Sequence, residues 1–376
     1  MAIIRDRIDS AGGRITFAEF MELSLYESEH GYYRGPILRA ARGGDFLTAA
    51  ELHPIFGAVI ARQLAEMWAI LGRPARFALR EYGAGPGTLG LSILHALDLD
   101  ARELAGRITY EPIEVNRFHR QALADRFAAA GFAERLRWPT PHAGEPPLVG
   151  VVLANEFIDA LPVHRMEADA DGRLRELFVT WHGEWFAEEA GEPSDRSLVD
   201  YFEALGIKLA PGQRAEVNLA VAPWLDEVRD TLERGYVLII DYGHPAVELY
   251  SAARREGTLR AYRGHTAHDD PFRAVGRQDL TAHVDVTMIG RWANDRGLGS
   301  LALTTQARFL VAGGLEDLLG RERTRTDLDA ASYALLRSSI GRLLDPRALG
   351  GFPVLLLGRG APARRLPSGF READAG

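Results

Sequence analysis

Apolar runs of strand length alternate with helix-length segments from residue 76 onward. Strands are predicted near 77–82, 108–115, 135–138, 149–154 and 235–241, and helices near 88–97 and 116–130. Later in the chain we predict a helix near 287–296, a strand near 301–305, a helix near 328–344 and a strand at 353–357. This alternation is typical of a parallel sheet with helices on both faces, so the predicted fold class is α/β.

One segment breaks the strand–helix rhythm. Between Arg165 and Glu189 apolar and polar positions alternate around two turn signals, Asp171-Gly172 and His182-Gly183. Short strands joined by such two-residue turns form antiparallel hairpins. We therefore predict a β-rich insertion at 163–233, on the substrate side of the sheet.

The residues before the first strand have a different character. Segment 1–75 is predicted to be a helical N-terminal cap, in which Thr16 and Glu19 form a capping box at the start of a helix. The remaining segments, 76–162 and 234–360, are assigned to the α/β core.

A glycine-rich turn follows the first predicted strand. The acid Glu81 precedes Gly83, Gly85 and Gly87, and a helix begins at about Thr88. Glycines at such a turn accept positive φ angles and let a ligand approach backbone N–H groups. The pattern also satisfies the dinucleotide fingerprint, and a turn kept only for packing is a third reading. The carboxylate before the turn favours S-adenosylmethionine, which has no phosphate to repel.

Acids and amides also follow the second and fourth predicted strands. In open α/β sheets ligands lie outside the carboxyl ends of the strands. The second strand ends at Glu114, with Glu111 as a competitor for that position. An acid there can accept both hydroxyls of a ribose, although a solvated strand-end acid is the alternative. The fourth strand runs directly into Asn155, Glu156 and Asp159. Unpaired buried carboxylates are costly, which favours a functional role, although Asn155 or Asp159 could instead cap the following turn.

The fifth strand places further polar groups at the same edge. It ends in Asp241, Tyr242 and His244, and a later loop carries His265. Histidine titrates near neutrality and is a candidate base, although a lone loop histidine is more often only hydrogen-bonded. The histidine spacings match no standard ligand set, so no metal is predicted.

Composition narrows the choice of function. The chain has 376 residues, a net charge of −8 and no cysteine. The acidic balance argues against non-specific nucleic-acid binding, and the missing cysteine excludes disulfides and thiolate sites. No apolar run is long enough for a membrane span, and the N-terminus has no secretory signal pattern. We expect a cytoplasmic bacterial protein, or a mitochondrial matrix protein if the source is eukaryotic.

Together these motifs resemble one family, the MidA-like (DUF185-type) S-adenosylmethionine-dependent methyltransferases. Its mitochondrial members are arginine methyltransferases needed for assembly of respiratory complex I. The resemblance departs from the family pattern at Asn116-Arg117, after the strand-two acid. It rests on motifs in order from residue 30 to 285, including His30-Gly31-Tyr32-Tyr33, Gly44-Asp45-Phe46, Glu81-Tyr82-Gly83, Asn155-Glu156-Phe157, Asp241-Tyr242-Gly243-His244, Tyr262-Arg263-Gly264-His265 and Asp279-Leu280-Thr281.

The resemblance implies a class I (Rossmann-like) methyltransferase core with a seven-stranded sheet. It implies that the glycines accommodate the amino-acid part of the donor, that Glu114 holds its ribose and that the cap residues Asp45 and Thr48 close over it. The expected cofactor-binding set is Asp45, Thr48, Glu81, Gly83, Ala84, Gly85, Gly87, Glu114 and Asn155.

A guanidinium acceptor, which the resemblance also implies, would need carboxylate partners and a proton acceptor. The expected catalytic set is Glu156, Asp159, Asp241, Tyr242, His244 and His265. The implied partner is a protein, a respiratory NADH dehydrogenase subunit by resemblance, and a homodimer is possible. An assembly chaperone with a vestigial or regulatory donor site, a small-molecule methyltransferase and a dinucleotide-dependent dehydrogenase are the alternatives.

Overall fold

The computed structural model describes residues 1–35, 48–139, 147–264, 266–323 and 329–371. The predicted capping box is confirmed: the Thr16 hydroxyl accepts from the Glu19 N–H at 3.1 Å, and the Glu19 carboxylate accepts from the Thr16 N–H at 3.3 Å. The N-terminal elements are α1 (Ala2–Ser10), β1 (Arg14–Thr16), α2 (Phe17–Tyr26), α3 (Ala49–Leu52) and α4 (Ile55–Ile70).

The next elements follow the predicted alternation with one exception. They are β2 (Phe77–Tyr82), α5 (Thr88–Asp100), α6 (Arg102–Ala105), β3 (Ile108–Ile113), α7 (Arg117–Ala129) and β4 (Leu148–Asn155). The strand predicted at 135–138 was wrong. Residues Ala133–Arg135 form a 3-10 turn, and Leu136 makes only a single bridge to Tyr110. Pro139 follows closely and has no N–H with which to extend the pairing.

The predicted antiparallel insertion is confirmed. Its elements are β5 (His164–Ala168), β6 (Leu174–Trp181), β7 (Phe186–Gly191), α8 (Arg196–Leu205), β8 (Arg214–Val217) and α9 (Val221–Thr231). Both turn signals join hairpins, with Ala168 opposite Leu174 and Trp181 opposite Phe186. The N-terminal strand β1 also pairs with β6, so this sheet takes a strand from the predicted cap.

The last part of the chain completes the core. Its elements are β9 (Leu232–Ile240), β10 (Gly243–His244), α10 (Ala246–Leu249), β11 (Arg260–Arg263), β12 (Thr266–His268), β13 (Asp279–Thr281), β14 (Val284–Asp285), α11 (Val286–Asp295), β15 (Gly299–Thr305), α12 (Gln306–Ala312), α13 (Leu315–Arg323), α14 (Ala330–Leu344) and β16 (Pro353–Arg359). None of the helices in the described ranges is long and apolar enough to cross a membrane.

The central sheet has the strand order β15-β16-β9-β4-β2-β3. Strands β3, β2, β4 and β9 run parallel, and β16 is antiparallel to both of its neighbours. Among the described residues, the central sheet thus has six strands rather than the seven expected. At the position of the missing edge strand, Leu136 makes a single bridge to Tyr110. The chain moves from β2 to β3 on one side and returns to β4 on the other. This reversal opens a crevice at the carboxyl ends of β2 and β4.

Packing crosses the segment boundaries predicted from the sequence. Helices α4 and α5 cover one face of the central sheet, and α9 and α11 cover the other. Phe17 and Phe20 of α2 instead pack against the insertion, on Val179 and Phe186. The predicted cap therefore divides between two cores, and α9 of the predicted insertion belongs to the central one. The boundaries at residues 75, 162 and 234 stay a prediction.

Candidate active site

A cleft of about 570 Å³ lies at the carboxyl ends of β2, β3 and β4. We call it the main cleft. Loops after these three strands supply Gly83 and Gly85, Glu114, and Glu156 with Asp159. The sheet topology therefore brings residues more than 70 positions apart into one wall. Cavities of this size bind small organic ligands.

The glycine turn after β2 has three left-handed glycines with different surroundings. The φ angles of Gly83, Gly85 and Gly87 are 69°, 53° and 77°. A Cβ on Gly87 would meet Leu123 at 2.8 Å, whereas a Cβ on Gly85 would meet nothing within 4 Å. Gly83 and Gly85 line the cleft, but Gly87 and the buried Ala84 do not. Gly87 thus serves packing, and Gly85 leaves room for a ligand.

The acid after β3 fixes the shape of this turn. One oxygen of Glu114 accepts from the Gly85 N–H at 2.8 Å, and the other accepts from the Asn116 N–H at 2.6 Å. Each carboxylate oxygen has a second lone pair, so both can still accept from a ligand hydroxyl. The structure therefore leaves lone pairs of Glu114 free for a ligand hydroxyl, and its contact with a ribose stays a prediction.

Glu81 lies elsewhere than predicted. It is buried, does not line the main cleft and accepts a hydrogen bond from the Tyr110 hydroxyl at 2.6 Å. Burial raises the pKa of its carboxyl group to about 7, although the Tyr110 hydroxyl opposes the shift. Because side chains alternate along a strand, Glu81 points into the layer between β2 and α5. It therefore lies behind the turn, outside the lining of the main cleft.

Glu156 lies on a strained turn at the end of β4. Its φ is +49°, which is uncommon for a residue with a side chain. Its carboxylate accepts from the Ala49 N–H at 2.9 Å and from the Tyr242 hydroxyl at 3.2 Å. Burial raises its pKa to about 8, and the nearby Asp241 adds to the shift. Asn155 lies outside the cleft lining, and its side-chain N–H donates to the Glu156 carboxylate at 3.5 Å.

Asp159 is the predicted acid whose carboxyl group lacks a full set of hydrogen-bond partners. Its side chain lines the main cleft but is shielded from solvent, and its Oδ1 has no hydrogen-bond partner. Burial raises the pKa well above its usual value, and the carboxylates of Asp241, Asp279 and Glu156 raise it further. An unpartnered buried carboxyl is costly, and a cationic ligand would satisfy it.

Asp241 has a structural role instead of the predicted place at the acceptor. It is buried and does not line the main cleft. Its Oδ2 accepts from the N–H groups of Phe157, Ile158 and Asp159 at 3.1, 2.8 and 3.3 Å, and its Oδ1 accepts from the Tyr242 N–H at 2.8 Å. Burial nevertheless raises its pKa to about 7. Asp241 therefore orients the Asp159 turn.

The other predicted site residues divide between three places. Thr48 and Tyr242 line the main cleft. His244 lines a different cleft, where its Nε2 lies 2.8 Å from Arg254. Burial and that guanidinium lower its pKa, which makes it a poor proton acceptor. Asp45 and His265 lie outside the described residues.

Several cleft residues were missed as site residues. The Tyr33 hydroxyl donates to Asp279 at 2.7 Å, and the ring of Tyr26 stacks on Tyr33 with centroids 5.5 Å apart. Trp224 of α9 adds an indole next to Phe157, with ring centroids 5.9 Å apart. Tyr33 and Asp279 fall in motifs that carry the family resemblance, which was the available signal.

The main cleft is acidic and aromatic. Arg34 and His119 are the basic side chains among its described lining residues. Such a surface attracts cations through charge and through ring faces. In the described ranges no group of three or more histidine or acidic residues could hold a metal ion. Six carboxylate residues line the cleft: Glu22, Glu114, Glu156, Asp159, Glu227 and Asp279.

The solved structure of a Burkholderia thailandensis protein matches this fold along almost its whole length. The two chains share 31% identity with a TM-score of 0.86, over 99% of this chain and 94% of that chain. The Burkholderia protein was crystallised with S-adenosyl-homocysteine, the product of methyl donation by S-adenosylmethionine. An acidic cleft with an open glycine turn fits this group.

Curated relatives are similar over most of their length. "Protein arginine methyltransferase NDUFAF7 homolog, mitochondrial" of Drosophila melanogaster is 28% identical over 370 residues, which are 90% of this chain and 80% of the relative. "Protein arginine methyltransferase NDUFAF7, mitochondrial" of Homo sapiens is 27% identical over 399 residues, 96% of this chain and 83% of the relative.

The family model described as "Putative S-adenosyl-L-methionine-dependent methyltransferase" matches residues 59–304. This range runs from α4 to β15 and contains the glycine turn and the strand-end acids. The chain therefore belongs to this family of S-adenosylmethionine-dependent methyltransferases, and S-adenosylmethionine is its cofactor.

Proposed function

We propose that the protein methylates an arginine side chain of a protein partner, and that the partner is a subunit of a respiratory NADH dehydrogenase. The family resemblance suggests this partner, and the names of the relatives support an arginine acceptor. One observation carries the proposal in this chain: Asp159 lines an acidic cleft, and its buried Oδ1 has no hydrogen-bond partner.

A guanidinium fits this arrangement because it carries five N–H donors and a delocalised positive charge. Asp159 would accept one edge of the guanidinium, and Tyr242, whose hydroxyl donates to Glu156, would help to align it. Holding the acceptor in line contributes most of the rate in such a reaction. When bound, S-adenosylmethionine supplies an electrophilic methyl group on a sulfonium sulfur.

The site also contains an acceptor for the proton that the methylated nitrogen loses. As the new N–CH₃ bond forms and the S–CH₃ bond breaks, the methylated nitrogen loses a proton, and S-adenosylhomocysteine leaves. The raised pKa of Asp159 suits it to accept that proton and then release it to water. His244, which lines another cleft, has no part in this step.

Label distribution tests the class of acceptor. The native protein is incubated with S-adenosylmethionine carrying a labelled methyl group and with a membrane-free extract that contains NADH dehydrogenase subunits. We expect label in the protein fraction, in a band of such a subunit. Label only in small molecules would support a small-molecule methyltransferase, and donor binding without any transfer would support an assembly chaperone.

The affinity for S-adenosylmethionine should increase between pH 6 and pH 8. Glu156, with its pKa raised to about 8, is mostly protonated in this range, and a cation in the cleft favours its ionised form. Cation binding therefore releases a proton and becomes stronger as the pH rises toward the pKa of the free protein. Titration calorimetry at three pH values measures this.

Two controls isolate the contribution of Glu156 to the pH dependence. S-adenosylhomocysteine lacks the sulfonium charge, so its affinity should change less with pH. In Glu156→Gln the difference between the two ligands' pH slopes should disappear. Equal slopes for both ligands in the native protein would contradict the interpretation.

A further inference from the structure

A second cleft of about 570 Å³ adjoins the main cleft. The two share Tyr242 and Tyr262 as lining residues. The Tyr242 hydroxyl faces Glu156 in the main cleft, at 3.2 Å. The ring of Tyr242 packs against Phe352 and His283 of the second cleft, at centroid distances of 4.4 and 6.3 Å. Tyr242 thus forms the wall between the two clefts.

The two clefts carry opposite charge. The described lining of the second cleft contains Arg342 and Arg347 and no carboxylate residue, in contrast to the six of the main cleft. Arg254 adds a third guanidinium through its contact with His244. Two acids lie near these groups: Glu248 is 3.5 Å from His244, and Asp345 is 3.7 Å from Arg347. Positive charge therefore prevails, and Arg342 and Arg347 are exposed.

The size of the main cleft limits what can enter it. A cavity of about 570 Å³ accommodates a cofactor and one side chain but not a length of polypeptide. If the acceptor is an arginine of a protein, the main chain beside that arginine must lie outside the main cleft. The second cleft adjoins it at Tyr242 and Tyr262, which places a basic surface directly beside the main cleft.

We propose that the second cleft binds the acceptor's main chain beside the target arginine and prefers acidic neighbours of that arginine. This inference rests on the proposed function. The acidic cleft takes the cationic side chain, and Arg342 and Arg347 take one or two carboxylates within a few residues of it. The enzyme thereby selects a segment of alternating charge from among many surface arginines.

Three synthetic peptides with one central arginine test the preference. Their flanks carry glutamate, glutamine or lysine at the same positions. We expect kcat/KM for the glutamate peptide to exceed that for the glutamine peptide by about tenfold, mainly through KM, because two exposed charge pairs contribute. The lysine peptide should be the poorest substrate. The preference should shrink at high salt, since exposed charges are screened.

Variants of the second cleft separate this inference from a general charge effect. In the double variant Arg342→Glu with Arg347→Glu, the lysine peptide should have the highest kcat/KM and the glutamate peptide the lowest. With glutamine at both positions, the three peptides should have nearly equal kcat/KM. The matched control is Arg337→Glu with Arg364→Glu, which changes two exposed arginines outside the cleft by the same charge. Thermal unfolding and donor affinity, measured for each, show that the variants remain folded.

The outcomes distinguish two failures. Equal kcat/KM for the three peptides, or an order unchanged by the Arg342 and Arg347 variants, overturns the proposed role of the second cleft and leaves the arginine acceptor standing. Absence of transfer to any arginine peptide, with donor binding intact, overturns the proposed function itself.

Discussion

Replacing Gly85 with valine is expected to abolish binding of S-adenosylmethionine while the fold remains. A Cβ at this position would meet no protein atom within 4 Å, so a valine side chain would extend into space at the wall of the main cleft. It would also interfere with the N–H group that Glu114 holds at 2.8 Å. We expect the dissociation constant to rise at least about 100-fold, or about 2.7 kcal/mol. Titration calorimetry measures it.

The control for Gly85→Val is a valine substitution at another glycine with a positive φ, placed away from the main cleft. Gly172, in the turn between β5 and β6, has a φ of +78° and also no atom within 4 Å of a built Cβ. Gly172→Val should lose stability like Gly85→Val, because both force a branched residue into a left-handed conformation. It should keep its donor affinity. A folded Gly85→Val protein with native affinity would remove the turn from the donor site.

Asp159→Asn should cut methyl transfer by about 10²-fold and leave donor affinity nearly unchanged. Burial and the neighbouring carboxylates raise the pKa of the Asp159 carboxyl well above its usual value, which favours the neutral form in the empty cleft, and asparagine imitates that form. The ionised oxygen of Asp159 contributes to methyl transfer only when a guanidinium is bound. Loss of one such electrostatic contact lowers the rate by about 10²-fold. Single-turnover rates with labelled donor measure the effect.

Asp241→Asn is the contrasting variant. Four backbone N–H groups donate to the Asp241 carboxylate, and an asparagine amide would present its own N–H groups to some of them. A buried donor left unpaired costs about 1–3 kcal/mol, so this variant should unfold at a lower temperature. Asp159→Asn should unfold like the native protein. Equal turnover by Asp159→Asn and the native protein would exclude Asp159 from the acceptor site.

Local sequence signals predicted most of the core because they depend on few neighbours. Apolar runs ending in a glycine turn or in acids defined β2, β3, β4 and β9, and the topology of parallel sheets then placed their ends together. The prediction of an edge strand at 135–138 was wrong, because an edge strand is stabilised by only one neighbouring strand. Its single bridge through Leu136 could not be distinguished from a strand by pattern alone.

The direction of each strand-end acid could not be read from the sequence. Like Glu114 and Asp159, Glu81 and Asp241 lie near the carboxyl ends of the strands, but their carboxylates accept hydrogen bonds from groups inside the protein. The partner of Glu81 is the hydroxyl of Tyr110, 29 residues away, and Asp241 serves N–H groups 82 to 84 residues earlier. Such long-range hydrogen bonds exist only after folding, so sequence reasoning assigned these two acids to ligands.

The identity of the methylated atom tests the central claim most directly. The native protein, S-adenosylmethionine with a labelled methyl group and the unlabelled partner subunit are combined, and the product is digested and fragmented by mass spectrometry, with Asp159→Asn as the matched low-activity control. We expect the label on a guanidino nitrogen of one arginine, greatly reduced in the control. Label on lysine, on a carboxylate or only on small molecules would contradict the account of an acidic cleft built for a guanidinium.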